Sequence, residues 1–415
     1  MTIVILVLCA IISGIPTPGT NTAYFKTMLE ASASLHFVNA LTGGGLSRLS
    51  LTLLGITPYI TASIIMQLLA VIWPKIKDMQ KEKTGKTKID RLTFLLGVVL
   101  ALIQAVTMSI SYGRQGLLIN YTWYWVLLVA MIWTAGATLL AFAGKLIEKR
   151  YFGNGISLIL LLGILSSYPS DMMTLYQVFL SGRKLAVAIT ATVIIALIIF
   201  AVFAFTTLIQ LCEKRIHVNY AGKLIPGTKQ LNIIPIKLCP GGVVPIIFAS
   251  SLLSFPFMLG QAFTDSFDGI WGFLNSGQWF NPEKPYYTAG ALLYVIMIFG
   301  FSYFYADITF SPYEIADNLR KNGGTIDGIR PGQPTVLYLQ KQLKYMIAIG
   351  AAALTVIAFI PLILSNTAGI SRLAFLGTSI IITVGVILDT KKKYIADSSA
   401  TKYIAKIKKG GIFHD

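Results

Sequence analysis

Charge is what this chain has least of. Asp, Glu, Lys and Arg make up 12% of its 415 residues, and the acidic ones number only 17. Together with 55% hydrophobic residues and a mean hydropathy of +0.71, that excludes a soluble globular core and leaves a polytopic membrane protein. Cysteine is scarce too. Cys9, Cys212 and Cys239 are scattered and form no CxxC, so neither a disulfide framework nor a metal site is indicated. His36, His217 and His414 lie far apart. No HExxH and no paired intramembrane carboxylates are present, and no GxSxG in a suitable setting. Gly85-Lys86-Thr87 imitates the end of a phosphate-binding loop, but Gln80 stands where the first glycine of that loop belongs. The apolar segments are nearly free of acids and histidines; Asp307 and Asp389 fall near their ends. A proton- or sodium-coupled transporter needs such groups inside the membrane. The chain therefore reads as a passive conduit driven by a partner, not an enzyme, with no cofactor and no metal. A secondary transporter of a small solute is the alternative.

What the chain has in abundance is long apolar runs. Ten of near-spanning length fall at 2–18, 50–73, 93–113, 121–145, 154–170, 185–211, 242–264, 286–310, 343–365 and 370–389. No separate cleavable signal pattern precedes them. Net charge is +17. A nucleic-acid binder would carry such charge on a polar domain; here it sits in short loops between apolar runs. If alternate loops are assigned to opposite sides, all but seven of the 34 Lys and Arg fall on one side. The seven are Lys26, Arg48, Arg114, Arg183, Lys184, Lys284 and Arg372. The positive-inside rule then places both termini in the cytoplasm and supports an even number of spans.

The second run, GITPYITASIIMQLL from Gly55 to Leu69, carries Thr57, Pro58, Thr61, Ser63 and Gln67. In lipid these groups need partners or a water-filled cavity, and Pro58 starts or bends the helix. A second stretch repeats it. Gly55, Pro58, Ile60, Ala62 and Ser63 recur at one offset as Gly242, Pro245, Ile247, Ala249 and Ser250. The copies lie five spans apart, so the second is inverted in the membrane, a plan in which the pathway runs between the repeats.

Two cytoplasmic loops exceed what a simple turn needs. Residues 213–239 mix Lys, Arg, Gly and Pro. In 311–341, Glu314 and Asp317 precede Arg320 and Lys321, which predicts a short helix. Gly323, Gly324 and the GIRPG run form turns that put Arg330 at a loop tip. Long loops of this kind serve either as solvated positive-inside connections or as docking sites.

At GITPYITASIIMQLL the sequence resembles the SecY family of protein-export channels. The likeness continues through Gly153-Asn154-Gly155-Ile156-Ser157, GVVPIIFASSLLSFP, YEIADNLRKNGGTIDGIRPGQPT and FLGTSIIITVGVILDT. It implies an all-α protein of ten transmembrane helices in two inverted five-helix halves, 1–175 and 176–390, with a basic cytoplasmic tail at 391–415. It implies a pore ring of Ile56, Ile60, Ile156, Leu160, Ile247 and Ile382. Such a ring dewets and blocks ions, yet yields around an extended chain. The resemblance also implies a plug at about 35–48, carried by Leu35, Phe37, Val38, Leu41, Gly43, Gly44, Gly45, Leu46 and Arg48. Gln67, Ser250, Ser251 and Phe255 match the lateral gate, where signal sequences meet membrane lipid; polar residues there equally suit static interhelical hydrogen bonding. Arg330, with Lys214, Arg215, Arg320 and Lys321, matches the docking site for the ribosome and the motor ATPase SecA. Small membrane subunits similar to SecE and SecG are implied as partners, and the bacterial cytoplasmic membrane as the location. Direct nucleic-acid specificity is not. The sequence departs from the family on its cytoplasmic face. Met1 falls inside the first span, the 213–239 loop carries fewer basic residues, and the tail is Lys-rich. These differences suggest a second or accessory copy.

Overall fold

The structure, a computed structural model, describes residues 1–21, 48–73, 75–76, 79, 82–114, 116, 118–150, 154–176, 185–220, 233–260, 273–274, 279–280, 285–368 and 379–395. Its helices follow the apolar runs. In chain order they are α1 (Thr2–Gly14), α2 (Thr57–Ile72), α3 (Lys83–Arg114), α4 (Trp123–Arg150), α5 (Gly155–Leu175), α6 (Leu185–Leu211), α7 (Val244–Gly260) and α8 (Thr288–Thr309). The short α9 (Pro312–Lys321) and the long α10 (Gln333–Ala368) follow, and α11 covers 379–395. Among the described residues, five helical stretches are long and apolar enough to cross a membrane; α1, α2 and the apolar parts of α5 and α7 are shorter.

Helix surfaces are arranged as lipid requires. On α3 and α4 the large groups Leu95, Leu102, Leu127, Met131 and Phe142 point outward, while Ala101, Ala105, Ala130, Ala137 and Ala141 are buried. Lipid is as apolar as leucine, so small residues that permit close helix approach win the interior. Hydroxyls within the spans bond back to their own helices: Thr61 to the Thr57 carbonyl at 3.1 Å, Thr134 to Ala130 at 2.8 Å and Thr206 to Val202 at 2.7 Å.

Three boundaries differ from expectation. Residues 51–56 form turns rather than the start of the second span, because Gly55 adopts φ +57° and Pro58 fits only the first helical turn. α10 begins at Gln333, well inside the expected loop. The segments expected to be long loops also hold strands. β1 (Glu213–Tyr220) pairs antiparallel with β2 (Ile233–Lys237) and with β3 (Gly324–Ile326), giving the order β2-β1-β3. The expected short helix is α9, with Ser311 as N-cap accepting from the Glu314 amide at 3.4 Å.

The repeat is written in the backbone. Shifting residue numbers by the Gly55-to-Gly242 offset maps the start of α2 onto that of α7. Gly55 and Gly242 have φ +57° and +59°. The amide of Gly55 donates to Thr52 at 2.8 Å, that of Gly242 to Cys239 at 3.0 Å; Ile60 donates to Ile56 at 3.1 Å, Ile247 to Val243 at 3.3 Å. Each turn is clasped by a glycine from another helix. A Cβ on Gly136 of α4 would meet the Leu51 carbonyl oxygen at 2.0 Å; one on Gly350 of α10 would meet that of Leu238 at 2.2 Å. Leu51 and Leu238 are themselves related by the offset.

Gly136→Ala and Gly350→Ala should each therefore destabilise the protein by about 1–3 kcal/mol, the usual cost of overpacking. Gly300→Ala is the control, since a Cβ there meets nothing within 4 Å. Thermal unfolding in detergent reads the difference, and equal midpoints for all three variants would refute the clasp.

Candidate functional site: an apolar constriction beside a polar seam

Residues from four helices share one apolar cluster. Ile56 and Ile60 belong to the start of α2, Leu160 to α5, Ile247 to α7 and Ile382 to α11. All five are buried, and they share one hydrophobic cluster; Ile156, half-buried, packs against it. Val243, the offset partner of Ile56, is buried in the same cluster. Sequence reading passed over it, although the repeat pointed to it. Ile56, Ile60, Ile247 and Ile382 are each less than a tenth exposed, so these branched side chains sit in apolar surroundings.

Beside the constriction, α2 and α3 pack on α7, which packs in turn on α8. The seam is bridged by a hydrogen bond from the Tyr305 hydroxyl of α8 to Gln67 Oε1 of α2. Gln67 Nε2 donates to Ser63 Oγ at 3.1 Å. Phe248 of α7 stands edge-on to Phe301 and Tyr305, at 5.8 and 5.2 Å between ring centroids. Of the expected gate residues, Gln67 thus spans the seam directly. Ser250 bonds within its own helix, to the Ile247 carbonyl at 3.0 Å. Ser251 is fully buried and its hydroxyl has no partner among the described residues. Phe255 is half-buried on α7, next to Pro256. Tyr305 was missed by sequence reading. Its signal was a phenol inside an apolar run, where the hydroxyl has to find a partner.

Of the expected plug, Leu35, Phe37, Val38, Leu41, Gly43, Gly44, Gly45 and Leu46 lie outside the described residues. Arg48 is exposed, with its guanidinium near Gly14.

The segments expected to dock partners are built on the sheet. Ile216, Val218, Ile236 and Ile326 pack under Leu319 of α9 and on Leu339, Leu343 and Ile347 of α10. Four of the expected docking residues already have partners. Lys214 Nζ donates to Gln342 Oε1 at 2.6 Å, and Arg215 pairs with Glu213 at 3.0 Å. Arg320 and Lys321 both pair with Asp317 on their own helix, at 2.9 and 2.6 Å. The hydrogen bond from Lys321 is the first cause holding the Asp317 carboxyl below its ordinary range. This clasp is present at neutral pH and is lost as pH falls through that lowered value; lying at the solvent-facing surface, it adds little. Arg330 differs. It is exposed at the turn before α10, and among the described residues nothing accepts from its guanidinium. Its carbonyl is held by Thr335 Oγ1 at 2.9 Å, which fixes the backbone beneath the side chain.

Helices of spanning length, nearly uncharged and packed on one aliphatic core, define an all-α polytopic membrane protein. The SecY family model matches residues 50–391. "Protein translocase subunit SecY" of Helicobacter pylori is 35% identical over 415 residues, covering 97% of this chain and 96% of the relative. The protein of the same name from Pseudomonas aeruginosa is 34% identical over 405 residues, covering 96% and 90%. The chain belongs to the SecY family. Solved structures share the fold at lower identity. "The structure of a protein conducting channel" aligns with TM-score 0.66 and 19% identity, over 96% of this chain and 91% of that one. "Sec61 in the Canine ribosome-channel complex from the endoplasmic reticulum" aligns with TM-score 0.61 and 19% identity over the same shares.

The Gln67–Tyr305 bond should act as a latch between α2 and α8. Tyr305→Phe is expected to cost about 0.6 kcal/mol, the average for a hydrogen bond between membrane helices. Spin labels at the exposed positions Val71 and Ile308 should then report a broader distance distribution across the seam. An unchanged distribution would show that the hydroxyl does not hold it.

Proposed function

We propose that this chain is the central pore-forming subunit of a protein translocase in the bacterial cytoplasmic membrane, with both termini on the cytoplasmic side. It conducts unfolded secretory polypeptides through the constriction and releases apolar segments sideways into lipid through the α2/α3–α7/α8 seam. The observation that carries the reading is the cluster of Ile56, Ile60, Leu160, Ile247 and Ile382, contributed by helix starts in both repeats. An aliphatic gasket suits a cargo of varied sequence. It seals by excluding water, and it offers no polar group that would bind one segment and stall the next.

The division into halves at 1–175 and 176–390, with the tail at 391–415, belongs to this reading. So does the plug at 35–48, which would seat against the ring from the outer side. Driving force comes from SecA or from a translating ribosome, docked on the 213–239 and 311–341 segments. SecE- and SecG-like subunits brace the halves within the lipid. Arg330 is the residue best placed to meet a partner, because its planar fork of donors is unspent. The other four basic groups must first give up contacts within the chain.

Two measurements test these claims. A cysteine is placed at Ile60 or Ile247, and a signal-bearing precursor with a matching probe is stalled during SecA-driven import into vesicles. Adducts that require SecA, ATP and the signal sequence are expected; import without adducts would remove these residues from the pathway. Separately, Arg330→Glu should weaken SecA or ribosome binding by about tenfold or more, as for an interface hot spot. Arg320→Glu should change it by about threefold at most. Equal losses would mean that the docking surface is diffuse rather than centred on the tip.

A further inference from the structure

The channel reading leaves two polar contacts on α11 unexplained. Ile382 is 1% exposed and shares the apolar cluster of Ile56, Ile60 and Ile247, and its two chain neighbours are gripped by different helices. On one side, Gln210 Nε2 of α6 donates to the carbonyl of Ile381 at 3.4 Å. On the other, the Thr383 hydroxyl of α11 meets the Tyr168 hydroxyl of α5 at 3.1 Å. Gln210 is buried, on a helix whose other faces are strongly apolar. A carboxamide is costly to place there and must find a partner. The partner it finds is a main-chain oxygen, which moves only when α11 moves.

We propose that Tyr168 and Gln210 are positioning residues for the constriction: together they fix the rotation and height of α11, so that Ile382 stays among the ring side chains. One bond alone would allow α11 to turn about that contact. Two, made to the residues on either side of Ile382 and from different helices, do not. Rotating α11 by one residue, or sliding it by a fraction of a turn, breaks both bonds and withdraws Ile382. Gly385 adds a steric stop, since a Cβ there would meet Val243 Cγ1 at 2.5 Å. The Tyr168–Thr383 bond also ties the fifth helix to the last, so it joins the two repeats at a seam other than the one bridged by Gln67 and Tyr305. The inference rests on the channel reading.

The test uses the translocase purified through this chain and reconstituted in vesicles. Tyr168→Phe removes one hydroxyl, Thr383→Val replaces the other with a methyl group, and Thr383→Ser restores it. Resting leak of a small anion is the first readout, melting in detergent the second. Tyr168→Phe and Thr383→Val should each raise the leak about threefold, the Boltzmann factor of an average hydrogen bond between membrane helices. The double variant should leak no more than either single one, and Thr383→Ser should match the parent. A lowered melting point with unchanged leak would reduce the pair to ordinary packing and overturn the proposal. Additive leak in the double variant would overturn it as well. Should Tyr168→Phe fail to fold, Thr383→Val and Gln210→Leu carry the same expectation. A parallel arm keeps the two readings apart. A precursor that crosslinks to Ile382→Cys while the leak stays flat sinks the positioning role and leaves the channel standing. A precursor that crosses without touching position 382 sinks the placement of Ile382 itself.

Discussion

Backbone pressed against backbone, with no side chain between, is the contact on which the rest of this molecule depends. Gly136 lies on the Leu51 carbonyl and Gly350 on that of Leu238. Each clasp holds the turn that immediately precedes one of the two repeat helices, α2 or α7. Those turns place Ile56 and Ile60 at the head of α2, and Val243 and Ile247 at the head of α7. A shift of even an ångström in either turn would misalign the aliphatic side chains, because branched groups seal only when they interdigitate. Glycine stands where backbones touch and alanine takes many buried places on α3 and α4, while other leucine, methionine and phenylalanine side chains face outward. Small residues at such crossings are what close packing in lipid requires.

Much of the architecture was legible in the sequence, because lipid imposes a coarse and insistent grammar. The apolar runs gave every long helix, and the skew of Lys and Arg gave an even count. The shared Gly-Pro-Ile-Ala-Ser pattern located both repeat turns before their matching φ angles and hydrogen bonds were seen. What escaped was set by long-range contact. Nothing local distinguishes Gly136 or Gly350 from any other glycine in a membrane helix. The strands β1 and β2 are rich in Lys, Arg and Pro, and they read as loop because their apolar face is completed only by α9 and α10. Gln67 was recognisable from its polarity as a group that needs a partner in an apolar run. Tyr305, its partner, is far away in the chain, and a phenol in an apolar run passes for packing. Ser250 was singled out by the same logic as Gln67, yet its hydroxyl is spent inside its own helix.

The docking residues show how charge on a list differs from charge in a fold. Lys214, Arg215, Arg320 and Lys321 carry the same formal charge as Arg330, but each is already engaged with a carboxylate or a carboxamide of the chain. Only geometry separates the engaged cations from the one held out on a braced turn. The 213–239 segment looked poor in basic groups by composition. Its structural role is instead to supply the central strand of the sheet.

That sheet has a mechanical consequence. β2 ends at Lys237, and the very next residue, Leu238, is the one held against Gly350 of α10. Its amide is also bonded to the Cys212 carbonyl at 3.0 Å, where β1 begins. Strand, long helix and turn thus meet at one residue, Leu238, so a pull on β2 is felt at once, as through a shared rivet, by the turn that carries Val243.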